Sequence, residues 1–196
     1  MRRQLLSGLR MTIVLIVVLG LAYPLIVAGA SALIFPHQAD GSLVSFNGRV
    51  VGSSLIGQSF TDADGRPLAR YFQPRPSAAG TGYDATASGG SNYGPNNPAF
   101  LALVRQRVEE YRRFNGLPPR APVPVDAVTA SGSGLDPDIS TANALDQAPR
   151  VAHVRGLPLA VVLTLVHDHV DPRPWGFLGE DTVNVLDLNL ALDALR

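Results

Sequence analysis

Met11–Phe35, MTIVLIVVLGLAYPLIVAGASALIF, runs for twenty-five residues without a charged side chain, and no other stretch constrains the chain as much. As a helix it is roughly 37 Å long, enough to cross a hydrocarbon layer of about 30 Å with some tilt. Arg2, Arg3 and Arg10 precede it, and the first charge after it is Asp40. Arginines on the short flank predict that residues 1–10 stay in the cytoplasm, that 11–35 span the membrane, and that 36–196 form a domain outside the cytoplasm. A buried helix of a soluble protein rarely runs this far without a charge. A cleaved signal peptide has a shorter apolar core, and here apolar residues continue past Ala28-Gly29-Ala30 to Leu33-Ile34-Phe35. The expectation is an uncleaved single-span anchor.

Within the span, Gly20, Pro24, Ala28 and Ala32 recur every four residues. Small side chains at that spacing let a second membrane helix approach closely, and the carbonyl freed by Pro24 is best tolerated against protein. This stripe is a candidate partner interface.

The remaining residues, about 160, suffice for one domain with its own core. Sixteen arginines balance sixteen acids, so no basic field argues for nucleic acid. Cysteine and lysine are absent, which excludes disulfides, thiolate metal sites, a Walker lysine and Schiff-base chemistry. The pattern predicts mixed α/β structure. Leu43–Phe46 and Arg49–Val51 flank Asn47-Gly48, a hairpin signal. Leu55–Phe60 and Ala69–Phe72 read as further strands, with a polar turn at Asp62–Gly65 between them. Residues 77–98 read as a long loop, and a loop of that length in a small domain is more often functional than idle. Asn97 and Pro98 start a helix that Gly116 ends; Ser140 caps another, interrupted or kinked at Pro149 and ended by Gly156; Pro158 starts a third, to about Val170. Thr182–Val185 reads as a strand and Leu186–Leu195 as a closing helix.

Ser88–Asn92 and Ser131–Gly134 are Gly/Ser loops whose amides could cradle a phosphate, but neither sits in a Rossmann or P-loop context. His167 and His169 are two residues apart and point to different sides of a helix, which disfavours shared metal ligation. Ser131 or Ser133 as a nucleophile would need a positioned base, and no histidine stands in a recognisable motif.

Five strings occur together and in order: YFQPRPSA (71–78), SGGSNYGPNNP (88–98), VPVDAVTASGSGLDP (123–137), APRVAHVRGL (148–157) and VNVLDLNLALD (183–193). With them the chain resembles, from anchor to C-terminus, the C subunit of the Kdp-type potassium-transporting ATPase. Asp138 and Thr141 stand where that family often has His and Pro, and Asp181-Thr182 replaces a more usual Pro-containing pair. The resemblance implies a non-catalytic accessory subunit of a high-affinity potassium uptake complex in the cell inner membrane. Its partners would be a channel-like A subunit, a P-type catalytic B subunit and a small F subunit. The family is described as a catalytic chaperone that raises the ATP affinity of the B subunit. That account makes Gln73 and the loop Ser88, Gly89, Gly90, Ser91 and Asn92 candidate nucleotide contacts. It conflicts with the arginine flank, which puts the domain across the membrane from cytosolic ATP. The rival expectation is that Tyr83 and Tyr93, with Thr129, Ser131 and Asp136, dock on the external surface of the channel-like subunit, because the long loop has little to gain from its own domain. A membrane-anchored external hydrolase and a stand-alone binding protein are the competing classes.

Reporter fusions test the orientation. A C-terminal fusion should be active only outside the cytoplasm, and mass spectrometry should find the N-terminal peptide retained; a mature terminus near Ala30–Leu33 would contradict the uncleaved anchor.

Overall fold

The computed structural model describes residues 1–195 and divides into two compact units, Met1–Leu43 and a domain beginning at Val44.

The first unit is one helical rod, Arg2–Ile34, long and apolar enough to cross a membrane. It consists of α1 (Arg2–Leu15), a π-helical turn (Ile16–Ala22) and α2 (Tyr23–Ile34), followed by a single turn, α3 (Pro36–Ala39). The π turn lies where Pro24 requires an adjustment. Proline has no N–H to donate, and its ring crowds the carbonyl four residues back. The wider turn relieves this, and the Tyr23 N–H donates to the Val18 carbonyl, five residues back. A wider turn also takes fewer degrees per residue, so Gly20 lies nearer the line of Pro24 than α-helical geometry would put it. That straightens one end of the small-residue stripe.

In the domain, β1 (Leu43–Phe46) and β2 (Arg49–Ser53) form the expected hairpin, with Asn47 and Gly48 both at positive φ as a type I′ turn demands. Next come α4 (Pro98–Asn115), β3 (Asp138–Ser140), α5 (Thr141–Arg155), α6 (Leu159–Asp168), β4 (Val170–Asp171), β5 (Thr182–Asn184) and α7 (Val185–Ala194). Strands β3, β5 and β4 form an antiparallel sheet in that order. Asn97 accepts from the Ala99 N–H at the start of α4, and Gly116 ends it in the left-handed conformation. Ser140 caps α5 through the Asn143 N–H, and Gly156 ends it likewise. Helix α5 runs without interruption through Pro149. Ile139 and Val183 from the sheet join Ala144, Ala148, Val151, Val162, Val166, Leu188 and Leu192 from α5, α6 and α7 in one core, with Phe72 fully buried among them. The alanines of α5 allow close approach to α6.

Two expected strands are absent. Leu55–Phe60 contributes one isolated bridge, Ser53 with Ile56, and Ala69–Phe72 has no strand partner. Side chains take the place of the ladder. Asn189 of α7 accepts from the Phe72 N–H at 2.9 Å and donates to its carbonyl at 3.0 Å. Gln147 of α5 does the same for Gln73, at 2.7 and 3.0 Å. Arg150 donates to the carbonyls of Ala69 and Tyr71, and Arg155 to that of Arg70. Ala69 and Arg70 form a turn, closed by the Tyr71 N–H donating to the Leu68 carbonyl at 3.1 Å, in place of the strand that the apolar pattern predicts, and helices hold the chain that leaves it.

Replacing Asn189 with leucine leaves two buried backbone groups of Phe72 unpaired. Asn189→Leu should lower stability by about 2–4 kcal/mol, read by urea unfolding of the full chain in detergent. Asn96→Leu, at an exposed loop position, should stay within about 0.5 kcal/mol.

Candidate functional site

The polar face of α5 backs a cleft in the domain. Asn143, Gln147 and Arg150 follow one another at helical spacing, and all three are buried. Asp126 accepts from the Asn143 amide and from both the N–H and hydroxyl of Ser140. Asn143 accepts from the Tyr111 hydroxyl at 2.9 Å and from the Gln147 amide at 2.9 Å. Arg150 donates to Gln147 and to Asn115 of α4, and its guanidinium lies 4.4 Å from the centre of the Phe114 ring. Burial pushes the Arg150 pKa down to about 10, so it remains a cation at neutral pH. Burial pushes the Tyr111 hydroxyl up, with Asp146 and Asp126 adding to the effect, so it stays a neutral donor. This spine leaves between α4 and residues 73–83 a cleft of about 350 Å³, within the range of small-molecule sites. Gln73, Arg75, Tyr83, Arg107, Tyr111 and Phe114 are among the residues that line it.

Gln73 is therefore in a cleft wall, as a ligand contact should be. Its side-chain amide nitrogen, however, donates to the carbonyls of Phe60 at 3.1 Å and Leu68 at 3.0 Å, which ties down the preceding turn. Ser88–Asn92 do not line the cleft. They belong to a second feature, in which the two Gly/Ser loops lie backbone against backbone. The Gly89 N–H and the Ser88 hydroxyl both donate to the Ser133 carbonyl, at 2.8 and 3.0 Å. Gly134 has φ +68, and a Cβ there would fall 2.6 Å from the Gly89 carbonyl oxygen, so only glycine suits this contact. A Cβ on Gly90 would lie 3.1 Å from the Gly132 carbonyl oxygen. Ser91, Asn92 and Tyr93 remain exposed, the Tyr93 ring 5.9 Å from that of Phe100.

Contrary to the expectation of a loop with little to gain from its own domain, residues 77–90 are tied into it. The Ser77 hydroxyl donates to the Gly134 carbonyl and accepts from the N–H groups of Ala79 and Tyr83. Tyr83 packs against Gly57, where a Cβ would come within 2.5 Å of its ring, and its hydroxyl donates to the Arg75 carbonyl. Arg75 pairs with Asp136 at 2.7 Å. Burial, then the Asp136 charge, raises the Tyr83 pKa above that of free tyrosine. Thr129 donates back to the Val125 carbonyl. Ser131 and Ser133 accept from the N–H groups of Gly134 and Leu135, and no hydrogen bond joins either hydroxyl to a histidine among the described residues. Gly20, Pro24, Ala28 and Ala32 lie in the helical rod.

Sequence patterning passed over the α5 spine because buried polar residues at helical spacing look like a solvated face. The nearest local signal is the run of alanines beside them, since Ala144 and Ala148 are fully buried next to Asn143 and Gln147.

The described residues combine one N-terminal helix long and apolar enough to span a membrane with one mixed α/β domain. A family model for the K+-transporting ATPase c chain matches residues 5–194, and the chain belongs to that family. It is 56% identical over 195 residues to the potassium-transporting ATPase KdpC subunit of Mycobacterium tuberculosis, covering all of both chains. It is 54% identical over 191 residues to that of Methylococcus capsulatus (96% of each chain) and 52% identical over 196 residues to that of Gemmatimonas aurantiaca (all of this chain, 94% of the relative).

Next to the loops, Asp138 is half-buried. Desolvation, then the charges of Asp136 and Asp171, raises its pKa above 3.8, against a hydrogen bond from Asn184 that lowers it. A carboxyl with a raised folded pKa favours folding while protonated, and that contribution is lost as pH rises through the folded value. Asp138→Asn keeps an acceptor for Asn184 and removes the charge. The variant should therefore gain stability relative to the parent between about pH 3 and about pH 7, measured by denaturant unfolding at both; an unchanged difference would contradict this assignment.

Proposed function

We propose that the chain is the accessory, non-catalytic subunit of an ATP-driven potassium uptake complex in the inner membrane, with its α/β domain outside the cytoplasm. Family membership and the apolar rod support a membrane-bound place in that transport system. Arg2, Arg3 and Arg10 support the orientation. Within the complex the domain docks on the external surface of the channel-like potassium-binding A subunit and stabilises assembly with the catalytic B and small F subunits. The small-residue stripe of the rod packs on a partner helix. The observation that carries the docking reading is the paired Gly/Ser loops. Backbone bonds and the Gly134–Gly89 approach hold them rigid, while Ser91, Asn92 and Tyr93 stay exposed, a preorganised polar surface with an aromatic anchor.

The second reading is the nucleotide one: ATP contacted by Gln73 and the Ser88–Asn92 loop, with the subunit acting as a catalytic chaperone of the B subunit. The cleft at Gln73 is what favours it. Against it stand the internal use of the Gln73 amide and of Ser88 and Gly89, and the separation of that loop from the cleft lining.

Tyr93→Ala and Ser91→Arg separate the two. Gly90 is a poor choice, because a side chain there meets Gly132 and disturbs the loop pairing. Loss of an aromatic anchor costs about 1–2 kcal/mol, roughly a tenfold weaker association. Co-purification of the complex and potassium uptake should fall together, with the thermal midpoint of the isolated subunit unchanged. Intact assembly with only a weaker apparent affinity for ATP would favour the nucleotide reading.

A further inference from the structure

The ten residues 172–181, between β4 and β5, form a knuckle in which every residue is exposed. Its stem is the pairing of Asp171 with Thr182. The Asp181 carboxylate accepts from the Arg173 N–H at 3.0 Å and lies 3.9 Å from its guanidinium. Two further bonds fold the tip: the Gly176 N–H to the Arg173 carbonyl and the Leu178 N–H to the Pro174 carbonyl. Trp175 adopts φ +54, a left-handed conformation that a bulky aromatic residue rarely takes. The strained backbone delivers no burial: Trp175 is 84% exposed and Phe177 71%, with ring centres 6.5 Å apart, and Leu178 is exposed beside them. A turn that holds two rings and a leucine away from its own core is built to place them elsewhere.

We infer that this knuckle inserts into the headgroup region of the bilayer that the chain's own helix enters. Three observations select lipid over a protein surface. The apolar rod is joined to β1 by eight residues, 35–42, which extend at most about 29 Å, so the chain tethers the domain to any bilayer that the rod enters. Trp175, Phe177 and Leu178 combine an amphipathic indole with apolar neighbours, the composition favoured at the membrane–water boundary. The tip is narrow, three apolar side chains on a ten-residue loop, whereas a standard protein interface engages about 800 Å² on each side; a soft interface accommodates a small wedge. Arg173 is neutralised by Asp181 and leaves Asp171 and Glu180 as the local surplus, so the surface is zwitterionic lipid and not an anionic patch.

Trp175 is the chain's one tryptophan, so its emission reports this knuckle alone. The full-length chain is reconstituted in nanodiscs of phosphatidylcholine and, in parallel, of brominated phosphatidylcholine. Most of the Trp175 emission should be lost in the brominated discs, and emission in the plain discs should lie at shorter wavelength than in an unfolded control. The double variant F177S/L178S, altered only at exposed positions, should fold equally well by circular dichroism and recover the emission. Equal emission in both lipids with free access to acrylamide puts the knuckle in water and overturns the inference. Equal emission with acrylamide protection only in the assembled complex puts the ring on a protein partner and also overturns it. So does quenching that persists unchanged in the double variant, since it reports proximity without insertion.

Discussion

The domain depends on how backbone groups are satisfied along residues 69–73. This segment turns at Ala69–Arg70 and then sets Phe72, fully buried, into the core, with no strand paired to it among the described residues. A buried N–H or carbonyl without a partner costs about as much as a lost hydrogen bond. Asn189, Gln147, Arg150 and Arg155 supply the missing partners from two helices. The Tyr71 ring sits near both the Arg70 and Arg155 guanidiniums, and its hydroxyl donates to Asp193, which pairs with Arg155 at 2.7 Å. One stretch of chain thus ties α5 to α7, and the fold closes around it. Side-chain amides suit this task because each offers a donor and an acceptor in a fixed geometry, matching the N–H and carbonyl of one residue.

The same clamp positions the candidate surfaces. Gln147 fixes Gln73, and Gln73 fixes the turn behind it through Phe60 and Leu68. From Gln73 the prolines at 74 and 76 carry the chain to Ser77, whose hydroxyl gathers Gly134, Ala79 and Tyr83. The paired Gly/Ser loops are therefore the outer end of a polar network that starts in the core. A rigid surface reached this way presents its exposed residues with little ordering entropy left to lose on binding.

The apolar rod, long enough to cross a membrane, would obey a separate constraint there. In hydrocarbon each backbone group must find its partner within the helix or in a neighbouring one. Pro24 removes one donor, and the π turn from Ile16 to Ala22 absorbs the consequence. Gly20 and Ala22 are the small residues of that turn, and Gly20 continues the stripe on which another helix could approach closely.

By itself the sequence determined the elements that local chemistry enforces. The apolar run specifies the rod, Asn47-Gly48 the hairpin turn, Asn97-Pro98 and Gly116 the limits of α4, and Ser140 and Gly156 those of α5. Each depends on a residue's own backbone preference or on partners a few positions away, so no tertiary information is needed. The family strings were equally legible, because they are long and ordered. Only the tertiary structure decided where Ala69–Phe72 finds its partners, since an apolar run reads the same whether it pairs as a strand or turns against a row of side-chain amides. It also decided that Asn143, Gln147 and Arg150 face inward, that Gln73 is occupied within the domain, and that residues 77–90 fold onto the Ser131–Gly134 loop. Those outcomes join residues up to 122 positions apart, and hydrophobic patterning, which records only whether a side chain prefers water, carries no information about which distant polar group will replace it.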